Sequence, residues 1–600
     1  ALPHQWGSVW NNSWFKTEFT ISKDHIGKKL YLQPKTEGRE TMLWVNNEAK
    51  GIISKELEVG ARGYHHTLFI GDNYSEGENI ALALECYAGH PCIGCHPGDE
   101  RESTTFTKEE YIHTFQSCFI VERDELIKDF VFDLKTLLQI VQHLPEESFR
   151  KGTVAACLEK VFLLISQSPV DTQSKQLRNS LKVARSVMAP ELEKKNSPSA
   201  PIAGIIGHSH MDTAWLWTTQ ETQRKCARTF SNALNLMEQY PEYMFLQSSV
   251  LHLEDIKTNY PNIFKQIKQR VAEGRWEPNG ASYVEADGNI TGGEAQIRQF
   301  TRGMKFLKDE FDYTPDSYWL PDTFGYNAAL PQIIKGCGLK YFLTTKLSWN
   351  ESNTFPYDSF KWQGIDGSEV IAHFNETHCW PDPQTLLSRL NGLEEGKYTG
   401  NKFSIRHKDV TDKRYIAYGF GDGGGGPMYE MLEMARRCED LEGVPKAQHM
   451  TLSQFMDNMV ETSPKLPEHR GELYLELHRG TLTHQHKIKR YNRKLEVAMR
   501  LLEYLDVQSK LSGGDGIAKE SLDALWKTLL VNQFHDILPG TSIPEVHDLA
   551  IEQYEQALEA CRELAEIPQS YGSGEYSLLN TLNWNRNDYF SIAVDSTKLS

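Results

Sequence analysis

The sequence predicts a multidomain α/β protein, and three observations predict it. Short apolar runs alternate with helical patterns between residues 201 and 430, as strand–helix repeats do around a mainly parallel sheet, open or closed into a barrel-like form. Before that stretch the pattern is one of short two-faced strands, and after it helices take over. The 600 residues also exceed what one hydrophobic core organises, so three or four domains are expected. The expected layout is an N-terminal β-sandwich-like domain over 1–120, a helical segment and linker over 121–200, and the central α/β domain over 201–430. A helical bundle over 431–567 follows, then the start of a C-terminal β region over 568–600.

Each part rests on its own pattern. From Trp14 to Ser22, Phe15, Thr17, Phe19 and Ile21 alternate with Lys16, Glu18 and Thr20, which makes a two-faced strand. The runs Leu30–Leu32, Met42–Val45 and Ile80–Tyr87 repeat the signal between Gly/Asn/Asp turns, at the spacing of a sandwich. Near Glu122 the period changes: Leu126, Phe130, Leu134, Leu137 and Val141 step by three or four, one apolar helix stripe. A second helical segment follows Lys151, and a charged tract, Glu191–Asn196, runs into the SPSAP linker at 197–201. In the central part, Ile202–Ile206, Met244–Gln247, Ser317–Leu320, Leu339–Thr344, Val370–Phe374 and Tyr415–Gly419 read as strands. Later, Tyr491, Leu495, Ala498, Leu502 and Leu505 keep helical spacing, and Pro544 opens another helix to about Ile567. Tyr576 to Ser600 returns to strand-like alternation and stops without a partner, so the sequence is expected to be cut there.

Composition narrows the function. With 39% apolar and 24% charged residues the chain reads as an ordinary soluble globular protein. Its 64 basic residues against 81 acidic ones leave a formal charge of −17, which argues against a nucleic-acid or anionic-membrane partner. No apolar stretch approaches the roughly 18 residues of a membrane span. Ten cysteines are scattered, as buried apolar residues of a reducing cytoplasm would be. Only Cys92 and Cys95, flanked by His90 and His96, form a C-x-x-C; no second pair completes a structural zinc site.

Four stretches carry chemistry. GHSHMDTAWLW (207–217) follows the strand Ile202–Ile206, and His210 and Asp212 lie two apart on an extended backbone, so both side chains point the same way. An imidazole and a carboxylate make half of a zinc site, and Trp215 offers a flat apolar wall. YWLPDTFGYN (318–327) places Asp322 straight after an apolar run, where alone it reads as a helix cap. AYGFGDGGGGP (417–427) sets Asp422 among glycines whose backbone is open to close approach. NQFHDILPGTS (532–542) puts His535 and Asp536 at the end of a helical run.

In this order, the four stretches resemble the family 38 glycoside hydrolases, the class II α-mannosidases, and most of all their cytosolic and bacterial branch. The resemblance covers roughly residues 200 to 600, and the N-terminal β region resembles the additional domain of that branch. It implies one catalytic zinc held by His210, Asp212, Asp322 and His535, a donor set that suits this borderline-soft ion. It implies Asp322 as nucleophile, Asp422 as acid/base, Trp215 and Phe324 as aromatic walls of a sugar site, and Asp536 as a ligand of sugar hydroxyls. His208 has no family role and reads as a partner behind the ligands. The implied partner is a mannose-containing oligosaccharide or a mannosyl conjugate such as mannosylglycerate, with a homo-oligomer left open. Two other readings compete: a zinc amidohydrolase or sugar deacetylase, which needs no nucleophilic Asp322, and a carbohydrate-binding protein with a structural zinc.

Overall fold

The computed structural model describes residues 2–54, 64–90, 111–168, 171–399, 402–565, 580–587 and 589. Its N-terminal part contains β1 (His4–Trp6), β2 (Asn12–Thr20), β3 (Leu30–Lys35), β4 (Glu40–Val45), β5 (Glu48–Ser54), β6 (Leu68–Gly71), β7 (Asn79–Tyr87), β8 (His113–Phe115) and β9 (Ser117–Glu122). They form antiparallel sheets of order β2-β7-β4-β5, β6-β3-β9 and β1-β8. Period-two alternation decides the layers: Leu43 and Val45 join Leu30, Leu32, Ile80 and Leu82 in a core shared by these sheets. Met42 and Trp44, on the other face of the same strand, pack into the large core of the central region instead. This sheet is therefore covered on both sides.

Three helices follow, α1 (Glu125–His143), α2 (Phe149–Ile165) and α3 (Lys175–Leu192). The Asp124 carboxylate opens α1 by accepting from the backbone N–H groups of Leu126 and Ile127. Phe130 and Leu137 of the expected stripe are buried, and Leu126, Leu134 and Val141 pack partly buried against the same core.

The central region runs β10 (Ile202–His208), α4 (Thr219–Gln239), β11 (Phe245–Leu246), α5 (Val250–Asn259), α6 (Pro261–Ala272), β12 (Trp276–Glu277), α7 (Gly293–Phe311), β13 (Ser317–Trp319), α8 (Leu330–Gly336) and β14 (Tyr341–Thr344). It continues through β15 (Ser359–Gln363), β16 (Glu369–Phe374), β17 (Glu376–Cys379), α9 (Pro383–Leu386), β18 (Leu393–Glu394), β19 (Lys397–Tyr398), β20 (Lys413–Tyr418), α10 (Tyr429–Cys438), β21 (Lys446–His449), α11 (Leu452–Thr462) and β22 (Glu468–Arg470). One sheet has the order β12-β11-β10-β20-β17, with β21 also on β10; all its pairings are parallel. The other runs β13-β14-β16-β15-β22 and has one antiparallel pair, β15 with β16. A bridge between Gly280 and Tyr318 ties the end of β12 to β13, and β16 passes through Asn375 into β17. These two seams close the sheets into a barrel whose strands end together on one side.

Residues after 430 differ from the helical expectation at 446–449 and 468–470, which are strands extending the two sheets. KAQH and EHR offer no apolar run from which a strand is read, and only pairing with β10 and β15 makes them strands. Then α12 (His486–Leu511), α13 (Lys519–Val531) and α14 (Pro544–Ala565) pack through Leu495, Met499, Leu502, Leu529, Ala550 and Tyr554. The β start expected over 568–600 falls outside the described residues, apart from 580–587 and 589, which form no strand. Cys92, Cys95 and His96 also lie outside them. No described helix is long and apolar enough to cross a membrane.

Candidate active site

The four chemistry-bearing stretches converge at one end of the barrel. Parallel pairing of β10 with β20 makes their following loops leave side by side. Ser209 Oγ donates to Phe420 O at 2.8 Å, Asp212 N to Asp422 O at 3.0 Å, and Met211 bridges Gly423. The His535 loop enters by pairing with the segment after β12: Phe534 bridges Ala286, and Asp287 N donates to Gln533 O at 2.9 Å. Asp322 follows β13 in the same ring.

Two imidazoles and a set of carboxylates meet there. His210 Nε2 lies 3.0 Å from Asp212 Oδ1, and His535 Nε2 lies 3.3 Å from that same oxygen. Ligand atoms of His210, Asp322 and His535 fall within 4.8 Å of one another, as do those of His210, Asp212 and Asp422, and those of Asp212, His535 and Asp536. Lys346 Nζ donates to Asp322 Oδ1 at 2.6 Å. His378 Nε2 stands 3.7 Å from Asp422 Oδ1. Thr541 Oγ1 donates to Asp536. The Phe324 ring is nearly buried, edge-on to His478 at 4.9 Å and to His535 at 5.9 Å. Trp215 is half-buried; its ring meets Trp217 edge-on at 5.8 Å, and its carbonyl accepts from Ile543 N at 2.9 Å.

Burial and charge pull these groups apart in acidity. Burial alone would depress His210, but Glu285 and Asp212 override it and raise the imidazole well above its ordinary value. Burial is likewise overridden at His535, which Asp212 and Asp536 push up to about 9. Burial would raise Asp322, yet Lys346, His210 and His535 hold it below the usual carboxylate range. At Asp422 burial wins over His378 and pushes the carboxyl up to about 6. At Asp536 burial and Asp212 push it up to about 8.

A model of the "Glycosyl hydrolases family 38 N-terminal domain" matches residues 202–472, and one of the "Alpha mannosidase middle domain" matches 476–568. The chain belongs to glycoside hydrolase family 38. Similar relatives include "Alpha-mannosidase G" of Dictyostelium discoideum, 32% identical over 97% of this chain and 51% of its own length. "Alpha-mannosidase 2C1" of Homo sapiens is 32% identical over 97% of this chain and 54% of its own length. The chain thus spans about half the length of these curated family 38 relatives. The crystal structure of an alpha-mannosidase from Enterococcus faecalis V583 shares the fold, with a TM-score of 0.51 and 20% identity over 61% of this chain and 42% of that one.

The family 38 resemblance implied a metal, and the residues present fit one. His210 Nε2, Asp212 Oδ1 and His535 Nε2 are buried, mutually close, and without a hydrogen-bond partner. Buried polar atoms are rarely left so, and three aimed at one place are what a shared cation satisfies.

Sequence reasoning passed over three residues of the site. Glu285, in the loop after β12, puts Oε2 3.2 Å from His210 Nδ1 and its carbonyl 2.9 Å from His535 Nδ1, which therefore donates to it. One residue so turns both Nε2 atoms inward. Lys346 closely follows β14, and a charged residue just past a strand end was its only local signal, while His378 lies within the short β17 and carried none. His208 is buried, donating from Nδ1 to Leu246 O at 2.9 Å and packed on Trp319.

Proposed function

We propose that this chain carries the machinery of a zinc-dependent, retaining α-mannosidase that removes terminal α-linked mannose from oligosaccharides or N-glycan-derived glycans. The observation that carries the reading is the opposed acidity of two neighbouring carboxyls: Asp322, bonded by Lys346, is held below the usual carboxylate range, while burial pushes Asp422 up to about 6. His210, Asp212, Asp322 and His535 would hold the zinc. When bound, it supplies positive charge that grips the vicinal hydroxyls of the sugar and favours its distorted ring.

In the first step the ionised Asp322 attacks the anomeric carbon, and Asp422 gives its proton to the departing glycosidic oxygen. The C–O bond breaks, and a mannosyl ester forms on Asp322. In the second step Asp422, now a carboxylate, takes a proton from water as its oxygen attacks the same carbon and releases Asp322. Trp215 and Phe324 would line the sugar, and Asp536 would bind its hydroxyls. A cytoplasmic working place belongs to the same proposal and rests on cysteine usage: eight described cysteines are free thiols.

The test is a panel of α-1,2, α-1,3 and α-1,6 mannobioses plus mannosylglycerate, with zinc quantified in the same preparation. The reading expects mannobiose turnover and near-stoichiometric zinc, both lost in His210→Ala. Preference for mannosylglycerate would redirect the substrate assignment; a metal-free active protein would overturn the zinc.

A further inference from the structure

Helix α4, TQETQRKCARTFSNALNLMEQ, buries its apolar residues and also Lys225, Arg228, Thr229 and Asn232. Buried polar groups need partners, and the Lys225, Thr229 and Asn232 side chains and the terminal nitrogens of Arg228 have them. On one side stands the N-terminal sandwich: a Cβ on Gly51 of β5 would lie 3.0 Å from Asn232 Cα, and Glu40 of β4 pairs with both Lys225 and Arg228. Arg228 also bonds Glu221 at 2.7 Å. On the other side stands the Gly-rich loop. Lys225 Nζ donates to Gly423 O at 3.2 Å, Thr229 Oγ1 accepts from Gly425 N at 2.9 Å, and Asn232 Nδ2 donates to the carbonyls of Gly425 and Pro427. Positions 225, 229 and 232 are one helix face.

The loop needs such a rack. Gly424, Gly425 and Gly426 all have positive φ, and Asp422 itself sits at φ 50°, which a side chain tolerates only when its surroundings hold it. Burial would raise the Glu40 carboxyl, but Lys225 and Arg228 override it and bring it down to about 2, so the clamp is a charged one.

We propose that Glu40 and Lys225 are positioning residues for proton transfer: the N-terminal sandwich, acting through the 225–229–232 face of α4, fixes the Gly-rich loop and with it Asp422. This rests on the reading of Asp422 as the acid/base. Neither residue touches substrate. Losing the clamp misplaces the carboxyl that must meet the departing oxygen, and a displacement near 1 Å costs about 100-fold in rate.

The experiment compares Glu40→Gln, Lys225→Met, Thr229→Val and Asp422→Ala on a series of α-mannosides with graded leaving groups, alongside amide hydrogen exchange of the 417–428 segment. Glu40→Gln and Lys225→Met should lose about 100-fold in kcat/KM on alkyl mannosides but only several-fold on nitrophenyl ones, where little protonation is needed. Exchange at 417–428 should quicken, and that of β10 and β14 should not. Thr229→Val keeps the side-chain shape and reports the same loosening if the charged variants fail to fold. Equal losses on all leaving groups, while Asp422→Ala remains leaving-group dependent, would overturn the proposal. If Asp422→Ala itself shows no such dependence, the acid/base reading fails instead. The rack is then judged on exchange alone, and unchanged protection at 417–428 overturns it.

Discussion

The loops after β13 and β20 each present one aspartate to the same space, and they hold it in opposite ways. Asp322 is gripped through its side chain: Lys346 bonds the carboxylate and two imidazoles face it. Asp422 is held through its backbone. Its carbonyl accepts from Asp212 N, while the His378 imidazole stands 3.7 Å from its carboxyl. In the proposed mechanism one residue type thereby serves as a standing anion in one loop and a proton carrier in the other. A nucleophile needs its charge kept, whereas an acid/base must lose and regain one proton per turnover, so a strong side-chain bond would hinder it.

The largest expected effect lies on the Asp322 side. Asp322→Ala removes the nucleophile and a ligand together, and kcat/KM should fall on the order of 10⁴-fold or more on every substrate, measured with both alkyl and aryl mannosides. Retention of activity with good leaving groups would erase the contrast between the loops.

Asp422→Ala should differ in kind. Alkyl mannosides should slow by roughly 10²- to 10⁴-fold, while nitrophenyl mannosides keep most of their first-step rate, and added azide should rescue the second step. Uniform slowness without azide rescue would move the acid/base role to another residue.

The pH profile sharpens the comparison further. In the proposed mechanism the donor is the neutral form of Asp422, so kcat/KM on alkyl mannosides should decline as pH rises through about 6. Asp322 works as the anion and is held below the usual range, so its limb lies on the acid side, well under that of Asp422. Asp422→Asn should remove the upper limb and leave the lower one in place.

Trp215→Ala should be the mildest. An aromatic wall contributes in ground and transition states alike, about 1–3 kcal/mol, or roughly 5- to 150-fold in kcat/KM shared between KM and kcat. An insoluble variant whose remaining folded molecules have normal activity would make Trp215 a packing residue only.

The same two loops show where sequence was informative. Asp322 and Asp422 each follow an apolar run that reads as a strand, but alone Asp322 reads as a helix cap and Asp422 as part of an open glycine loop. It was the four stretches in order, resembling family 38, that singled them out. Glu285 was not legible, because β12 is only Trp276–Glu277 and no pattern marks its end. β21 and β22 were missed for a related reason: their residues become strands through pairing partners far away in sequence. The polar face of α4 is the least legible. Its charged face points at Glu40 and the Gly-rich loop, contacts that span from 185 residues upstream to 198 downstream and leave no local trace. Side chains acting through such long-range bonds are invisible to periodicity, whereas those at strand ends are not.

The central claim is that Asp322 forms a covalent bond to the sugar. Incubating the protein with a fluorinated mannosyl fluoride, which slows the second step, and mapping the adduct by mass spectrometry tests it most directly. The account predicts one added fluoromannosyl mass per chain, on the peptide containing Asp322 and on that residue. An adduct on Asp422 or elsewhere, or turnover to product of inverted configuration with no adduct at all, would contradict it.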